Sequence, residues 1–222
     1  MAEFDDYAEN YNQILEQGIA LSGEESSYFA DFKARFIAHR VAPRSDAKIL
    51  DFGCGIGNVT AALRRFMPRA TLHGYDPSSV SIERAGGENG SEANFFVDPN
   101  ALDDDYDVVL MAGVMHHIRP EQRDQVLKSA IDRLSPDGKL AIFEHNPLNP
   151  LTRKVVDACT LDENAILLRA SETVALLQSA GLNSLSRDYI VFFPRIFGFA
   201  RFLERHLGWC PLGAQYVVVG CK

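Results

Sequence analysis

The most informative segment of this chain reads Ile49-Leu50-Asp51-Phe52-Gly53-Cys54-Gly55-Ile56-Gly57-Asn58. Its first residues form an apolar run typical of a buried strand, and a helical pattern follows at 59–66. Glycines between a strand and a helix allow a ligand to approach the backbone closely. The segment therefore predicts a strand, a ligand-binding loop and a helix, and the expected ligand is of the nucleotide type.

Short apolar runs alternate with helical patterns on both sides of this segment. The patterns predict strands at 48–52, 71–75, 94–97, 107–111, 139–144, 188–193 and 215–220, and helices at 59–66, 78–85, 121–134 and 172–179. Pro136-Asp137-Gly138 predicts a turn before the fifth strand. The alternation predicts an α/β fold in which a mostly parallel sheet carries helices on both faces.

The length and apolar content fit one domain. At 222 residues and 46% hydrophobic composition, the chain can bury one sizeable core, so we expect a single domain over 1–222. Residues 1–42 have helical spacing, with Tyr7 and Tyr11 in the first pattern and Tyr28 to Ile37 in the second, and they predict an N-terminal helical lid. The core is expected at 43–222, with a helical insertion near 195–210.

The charge and the cysteines exclude several classes of protein. A net charge of −8 argues against a nucleic acid partner, because binding to phosphates needs clustered Lys and Arg. Cys54, Cys159, Cys210 and Cys221 are scattered, which suggests reduced thiols and neither a zinc site nor a disulfide framework. The acidic start of the chain is unlike a secretory signal, and no apolar run reaches membrane-spanning length, so we expect a cytoplasmic protein.

Acidic residues indicate which cofactor binds the loop. A dinucleotide fingerprint would need a third glycine where this chain has Asn58, and Asp51 beside the loop would repel a pyrophosphate. S-adenosylmethionine (SAM) carries an ammonium and a sulfonium and no phosphate, so it suits Asp51 better. Asp76 ends the second strand, where a carboxylate can bind ribose hydroxyls, and Asp98 could accept a bond from adenine.

The segment Asp51-Phe52-Gly53-Cys54-Gly55-Ile56-Gly57, together with Asp76, Asp98 and the run 107–118, resembles class I SAM-dependent methyltransferases. The resemblance implies a Rossmann-like sheet of seven strands with an antiparallel strand near the C-terminus. It also implies SAM as the cofactor, with the N-terminal segment folded over it. The expected cofactor-binding residues are Asp51, Gly53, Cys54, Gly55, Gly57, Asn58, Asp76, Pro77, Asp98 and Met111.

Two clusters at the ends of strands are candidates for the chemistry. His116 and His117 follow the fourth strand, and Glu144 and His145 end the fifth, so all four are expected at the carboxyl edge of the sheet. A histidine there could orient or deprotonate an acceptor hydroxyl, and the alternative is a capping or core role. The spacing alone requires no metal. The loop after His145 is interpreted as fixed by Pro147 and Pro150.

The run from Glu144 to Pro150 and the later run 211–216 resemble a bacterial subgroup associated with saccharide biosynthesis. We therefore expect methyl transfer to a small molecule or saccharide, at oxygen. The Asn-Pro pairs do not match the motif of nucleic-acid amino methyltransferases. Two alternatives stay open: a nicotinamide-dependent oxidoreductase, and a SAM-binding module that transfers no methyl group.

An aromatic and basic segment precedes the last strand. It contains Phe192, Phe193, Phe197, Phe199, Phe202 and Trp209, interleaved with Arg195, Arg201 and Arg205. Core packing is the leading expectation for these rings. A substrate cover, a dimer face and a weak contact with a membrane surface are the alternatives.

Overall fold

The computed structural model describes residues 23–89 and 93–222. The first predicted helix, with Tyr7 and Tyr11, lies outside the described residues, as does most of the segment expected to fold over the cofactor. The second predicted helix is present as α1, Ser26–Phe36, and it continues into a π-helical turn at Ile37–Val41.

The described strands form one sheet. They are β1 Lys48–Phe52, β2 Thr71–Tyr75, β3 Asn94–Phe96, β4 Tyr106–Ala112, β5 Leu134–His145, β6 Asn183–Ile190 and β7 Gln215–Cys221. Their order is β3-β2-β1-β4-β5-β7-β6. The pairs from β3 to β5 are parallel, and β7 runs antiparallel to both β5 and β6. The predicted Rossmann-like α/β fold with one antiparallel strand is confirmed.

Helices cover both faces of this sheet. Besides α1 they are α2 Asn58–Phe66, α3 Ser79–Asn89, α4 Arg123–Asp132, α5 Pro150–Ala158 and α6 Ala170–Ser179. Successive strand residues point to opposite faces, so Leu50 belongs to the apolar core that contains Leu127 of α4 and Leu177 of α6. Ile49 belongs to the core on the other face, which contains Leu63 of α2. Two apolar cores therefore hold the sheet rigidly between its helices.

The fifth strand is longer than the sequence predicts. Tyr106 pairs with Leu134 and Val108 pairs with Lys139, so the residues between Leu134 and Lys139 form an irregularity within β5. The predicted turn at 136–138 coincides with this irregularity, where 135–138 lie opposite a single residue of β4 although β5 extends from Leu134 to His145. Gly138 fits this place because a Cβ there would lie 2.7 Å from the carbonyl oxygen of Tyr106.

The predicted proline-fixed loop contains the start of a helix that the sequence reading missed. The side chain of Asn149 accepts hydrogen bonds from the backbone N–H groups of Leu151 and Thr152, and Pro150 occupies the first turn. Both features stabilise a helix N-terminus. The interpretation of 146–150 as loop alone is thus corrected, and α5 begins at Pro150.

The aromatic segment does not pack in the core. It forms a 3₁₀ helix, Arg195–His206, with an interruption at Phe197. Phe199 is 79% exposed, Phe202 66% and Trp209 75%, so the expectation of core packing is wrong for these rings. None of the helices within 23–89 and 93–222 is long and apolar enough to cross a membrane.

A buried hydroxyl network gives a test of the fold. The hydroxyl of Tyr216 donates to the carbonyl oxygen of Leu168 at 3.0 Å and lies 2.7 Å from the hydroxyl of Thr173. We expect Tyr216→Phe to lower the free energy of unfolding by about 1–3 kcal/mol, because buried polar partners lose their hydrogen bonds. Urea denaturation measures this. Tyr189→Phe on the neighbouring strand is the control and should change stability little; equal losses would contradict the network.

Candidate active site

The ends of the central strands open into one cavity. Its volume is about 560 Å³, and it is lined by the carboxyl ends of β1, β2, β4 and β5 and by residues of α1, α4 and α5. The glycine loop lies on one wall and the histidines lie on another. Parallel strands bring these distant segments together, since their carboxyl ends meet at one edge of the sheet.

The glycine loop is held by backbone hydrogen bonds to the end of β2 and by packing against Val114, which follows β4. The N–H groups of Gly53 and Cys54 donate to the carbonyl oxygen of Tyr75 at 2.7 and 2.9 Å. Gly53 has a φ of +82°, and a Cβ at this position would lie 2.5 Å from a methyl group of Val114. Both the backbone conformation and the close packing therefore require glycine here.

Asp76 fixes the same loop. Its carboxylate accepts hydrogen bonds from the N–H of Gly55 and the N–H of Ser78, both at 2.9 Å. A Cβ built on Gly55 would meet nothing within 4 Å, so this part of the loop faces open space. The acid at the end of β2 therefore lies beside the open surface of the loop.

Asp51 is a buried acid with unused hydrogen-bonding capacity. One carboxylate oxygen accepts from the hydroxyl of Thr60 at 2.8 Å. The other, Oδ1, is buried and has no hydrogen-bond partner among the described residues. Burial raises the pKa of Asp51 to about 7, helped by the charge of Asp76 and opposed by Thr60 and by Lys33 of α1. A cationic group in the cavity would satisfy this oxygen and stabilise the charged form.

A second charged cluster lies around His116. Its Nδ1 is 2.5 Å from Glu144 Oε2, and Glu144 Oε1 accepts from the N–H of Met115 at 2.7 Å. The Nε2 of His116 is 3.3 Å from Asp162 Oδ1. Burial alone would lower the pKa of His116, but the two carboxylates outweigh it and raise this pKa to about 10. At neutral pH His116 is therefore a cation between two acids.

His117 and His145 are uncharged. Burial, reinforced by the charge of His116, lowers the pKa of each to about 4. The ring centroids of His116 and His117 are 4.0 Å apart, and those of His116 and His145 are 5.2 Å apart. Near neutral pH the cavity thus contains one charged and two neutral imidazoles.

Most predicted site residues line the cavity. These are Asp51, Gly53, Cys54, Gly55, Asn58, Asp76, Pro77, His116, His117, Glu144 and His145. Three predicted cofactor residues do not line it. Asp98 is exposed and accepts from the N–H of Asn100, Met111 is buried in the core, and Gly57 packs against the ring of Phe95.

The sequence reading missed two charged residues of the cavity. Lys33 reaches it from α1, and burial lowers the pKa of Lys33 to about 8. Asp162 ends a 3₁₀ turn, Thr160–Asp162, in a region whose pattern was irregular. The helical spacing of α1 could have located Lys33, but nothing in the sequence placed Asp162 beside His116.

The sheet order, the glycine loop and the acid ending β2 together define the fold of class I SAM-dependent methyltransferases. Residues 50–140 match the family model described as a methyltransferase domain. This match covers less than half of the chain; together with the fold, it agrees with the resemblance to class I SAM-dependent methyltransferases noted in the sequence.

Among curated relatives, trans-aconitate 2-methyltransferase of Streptomyces coelicolor is 32% identical over 129 residues, covering 54% of this chain and 41% of that protein. The chain spans 62%, 53% and 64% of the length of three other methyltransferases that it matches. It therefore corresponds to only part of each of these relatives.

Solved structures share the fold over most of this chain. A TehB-like SAM-dependent methyltransferase from Corynebacterium glutamicum aligns with a TM-score of 0.64 and 22% identity, covering 98% of both chains. The magnesium protoporphyrin IX methyltransferase ChlM from Synechocystis, with bound S-adenosylhomocysteine (SAH), aligns with a TM-score of 0.64 and 14% identity, covering 93% of this chain and 86% of that one. The proteins named in these comparisons are methyltransferases, which favours SAM over a nicotinamide cofactor.

A substitution in the glycine loop tests its close packing. We expect Gly53→Ala to lower the free energy of unfolding by at least about 1–2 kcal/mol, since the residue must keep a positive φ and its methyl group meets Val114. It should also weaken SAH binding. Thermal unfolding and calorimetric titration measure both effects. Gly86→Ala in α3 is the control, where a Cβ meets nothing within 4 Å and should stabilise by about 0.5–1 kcal/mol. Similar results for the two variants would refute this account of the loop.

The raised pKa of Asp51 predicts how cofactor affinity depends on pH. Below about pH 7 the carboxyl group is protonated, and it must ionise to pair with the ammonium of SAH. Affinity should therefore fall by up to ~tenfold per pH unit below pH 7 and level off above it. Calorimetry from pH 5 to about 7.5 measures the trend. Asp51→Asn should bind weakly with little pH dependence; an unchanged pH profile in this variant would assign the titration to another group.

Proposed function

We propose that this chain transfers a methyl group from SAM to an oxygen atom of a small-molecule acceptor. The observation that carries the proposal is that the glycine loop and the histidine–carboxylate cluster line one cavity. The family match and the named methyltransferases support the reaction type. A non-catalytic SAM-binding module would not need the second cluster.

The residues around the loop fit the cofactor. Asp76 would bind the ribose hydroxyls, and the unpartnered oxygen of Asp51 would face the ammonium group. Gly53 and Gly55 would let the methionine part lie against the backbone. When bound, SAM supplies an electrophilic methyl group on a sulfonium. Asp98 is exposed, already accepts from the N–H of Asn100 and does not line the cavity, so we propose no contact of Asp98 with adenine.

The acceptor would bind between the loop and the histidines. His145 is neutral and lines the cavity, and its pKa of about 4 makes it a weak base. We propose that it accepts the proton late, when the acceptor oxygen has become strongly acidic by bonding to the methyl carbon. His116 is charged and pinned between Glu144 and Asp162, so it cannot accept that proton and would position the neighbouring rings.

The rest of the cavity wall indicates the shape of the acceptor. Much of it is apolar, with Phe29, Val126, Leu151, Val155 and Leu161 among the lining residues. This favours an acceptor with an apolar skeleton over a free saccharide, which offers mostly hydroxyl groups. The name of the Streptomyces coelicolor relative, trans-aconitate 2-methyltransferase, also points to a small molecule.

The partners follow from the surface. The net charge of −8 argues against a nucleic acid partner, because phosphate groups carry negative charge. The exposed rings of Phe199 and Trp209, with Arg195 and Arg205 nearby in sequence, support a weak contact with a membrane surface or a cover over the acceptor. Both roles stay predictions.

A proton-transfer role for His145 can be tested with methyl-labelled SAM. The probes are trans-aconitate, hydroxybenzoic acids, long-chain hydroxy acids and free monosaccharides. With an accepted probe, His145→Gln should lower kcat by about 10²–10⁴-fold, because glutamine accepts no proton, while the Kd for SAH stays within about twofold. His206→Gln, at an exposed histidine, is the control and should leave both unchanged.

Two results would overturn this proposal. If SAH binds but no label is transferred to any of the probes, the result would favour a SAM-binding module that transfers no methyl group. If label is transferred and His145→Gln keeps the wild-type kcat, the proton acceptor is another group.

A further inference from the structure

One wall of the cavity carries a cluster of side chains that could bind a metal ion. It consists of His116, His117 and Asp162. One ligand atom from each residue lies within 4.8 Å of the other two. Asp162 Oδ1 is 3.3 Å from His116 Nε2 and 3.5 Å from His117 Nε2. All three residues line the cavity. The fold has therefore assembled two imidazole nitrogens and a carboxylate oxygen around a common point.

The hydrogen bond between His116 and Asp162 is long, and the spacing of the cluster also fits ligands that share one metal ion. A charge-assisted bond between imidazolium and carboxylate spans about 2.7–2.9 Å, which is shorter than either distance to Asp162. Two ligand atoms that each lie about 2.1 Å from a tetrahedral metal are separated by roughly 3.4 Å. Both observed separations match this second value.

Glu144 provides the support that a metal-binding histidine usually has. Its Oε2 lies 2.5 Å from Nδ1 of His116, and its Oε1 is fixed by the N–H of Met115. Histidines that bind metals typically donate their other ring nitrogen to a carboxylate in this way, which fixes the tautomer and the ring orientation. Nε2 of His116 is thereby directed to Asp162 and away from Glu144.

We propose that His116, His117 and Asp162 bind a divalent transition-metal ion such as Zn²⁺. The ion would replace the proton on Nε2 of His116, which would then bind it as a neutral imidazole while Nδ1 keeps its hydrogen bond to Glu144. Two imidazoles and one carboxylate are a ligand set that such ions accept, and three protein ligands leave a coordination position for another molecule. Because the cluster lines the cavity, that position faces the space for the acceptor.

This site would deepen the proposed function, on which its chemical role depends. An acceptor hydroxyl that occupied the open position would have a lowered pKa and would lose its proton to His145 more readily. The oxygen forms a bond to the methyl carbon as the carbon–sulfur bond breaks, and the electron pair of that bond stays on sulfur to give SAH. The binding of the metal itself requires neither cofactor nor acceptor.

Metal binding can be measured without any enzymatic assay. Chelator-treated wild-type protein is titrated with Zn²⁺ by calorimetry and with Co²⁺ by visible absorption. We expect one equivalent of Co²⁺ with the intense bands of a four- or five-coordinate site. Asp162→Asn and His117→Gln should weaken binding by at least about 100-fold, whereas Asp157→Asn and His39→Gln, at exposed positions, should bind like wild type.

Each variant is also titrated with SAH, so that loss of metal binding is separated from loss of the fold. X-ray absorption of the zinc-loaded wild type needs no variant and should show nitrogen and oxygen neighbours at about 2.0–2.2 Å. No Co²⁺ uptake by wild type, sulfur neighbours, or unaltered binding in both cluster variants would overturn the site. Metal binding without methyl transfer would contradict only the proposed function. Methyl transfer by metal-free protein would contradict only the proposed role of the metal in the reaction.

Discussion

The packing of Gly53 against Val114 is the constraint on which the cavity depends. Gly53 lies in the cofactor loop after β1, and Val114 precedes the turn that carries His116 and His117 after β4. Glu144 at the end of β5 then binds the N–H of Met115 in that turn. Three neighbouring strand ends are therefore locked together, and the cofactor loop and the histidines keep a fixed separation.

Within this frame, buried charge decides what the cavity can bind. Asp51 keeps an oxygen without a partner, and it sits near Asp76, whose charge disfavours ionisation. Such an arrangement is costly unless a cation arrives, so it is typical of a binding site more than of a stabilising core. On the opposite wall Glu144 and Asp162 flank His116, which balances them either as an imidazolium or as a metal ligand.

The sequence predicted the sheet and the loop because both rest on local patterns. Apolar runs located most strands, and the spacing from Asp51 to Asp76 located the cofactor side of the cavity. Sequence patterns do not predict contacts that depend on tertiary structure. Asp162 approaches His116 only through the path of the chain after α5. Phe199 and Trp209 remain outside the core although aromatic rings are usually expected to be buried. The sequence does not distinguish a loop from a helix start at Asn149 and Pro150, since a capping signal and a turn use the same residues.

The most direct test of the central claim is a calorimetric titration of the purified protein with SAH, comparing wild type with Asp76→Ala and with Asp98→Ala. We expect one binding site in wild type, loss or strong weakening of binding in Asp76→Ala, and near wild-type affinity in Asp98→Ala, whose side chain lies on an exposed turn. No binding by wild type, or equal binding by all three proteins, would contradict a SAM site built on the loop from Asp51 to Asp76.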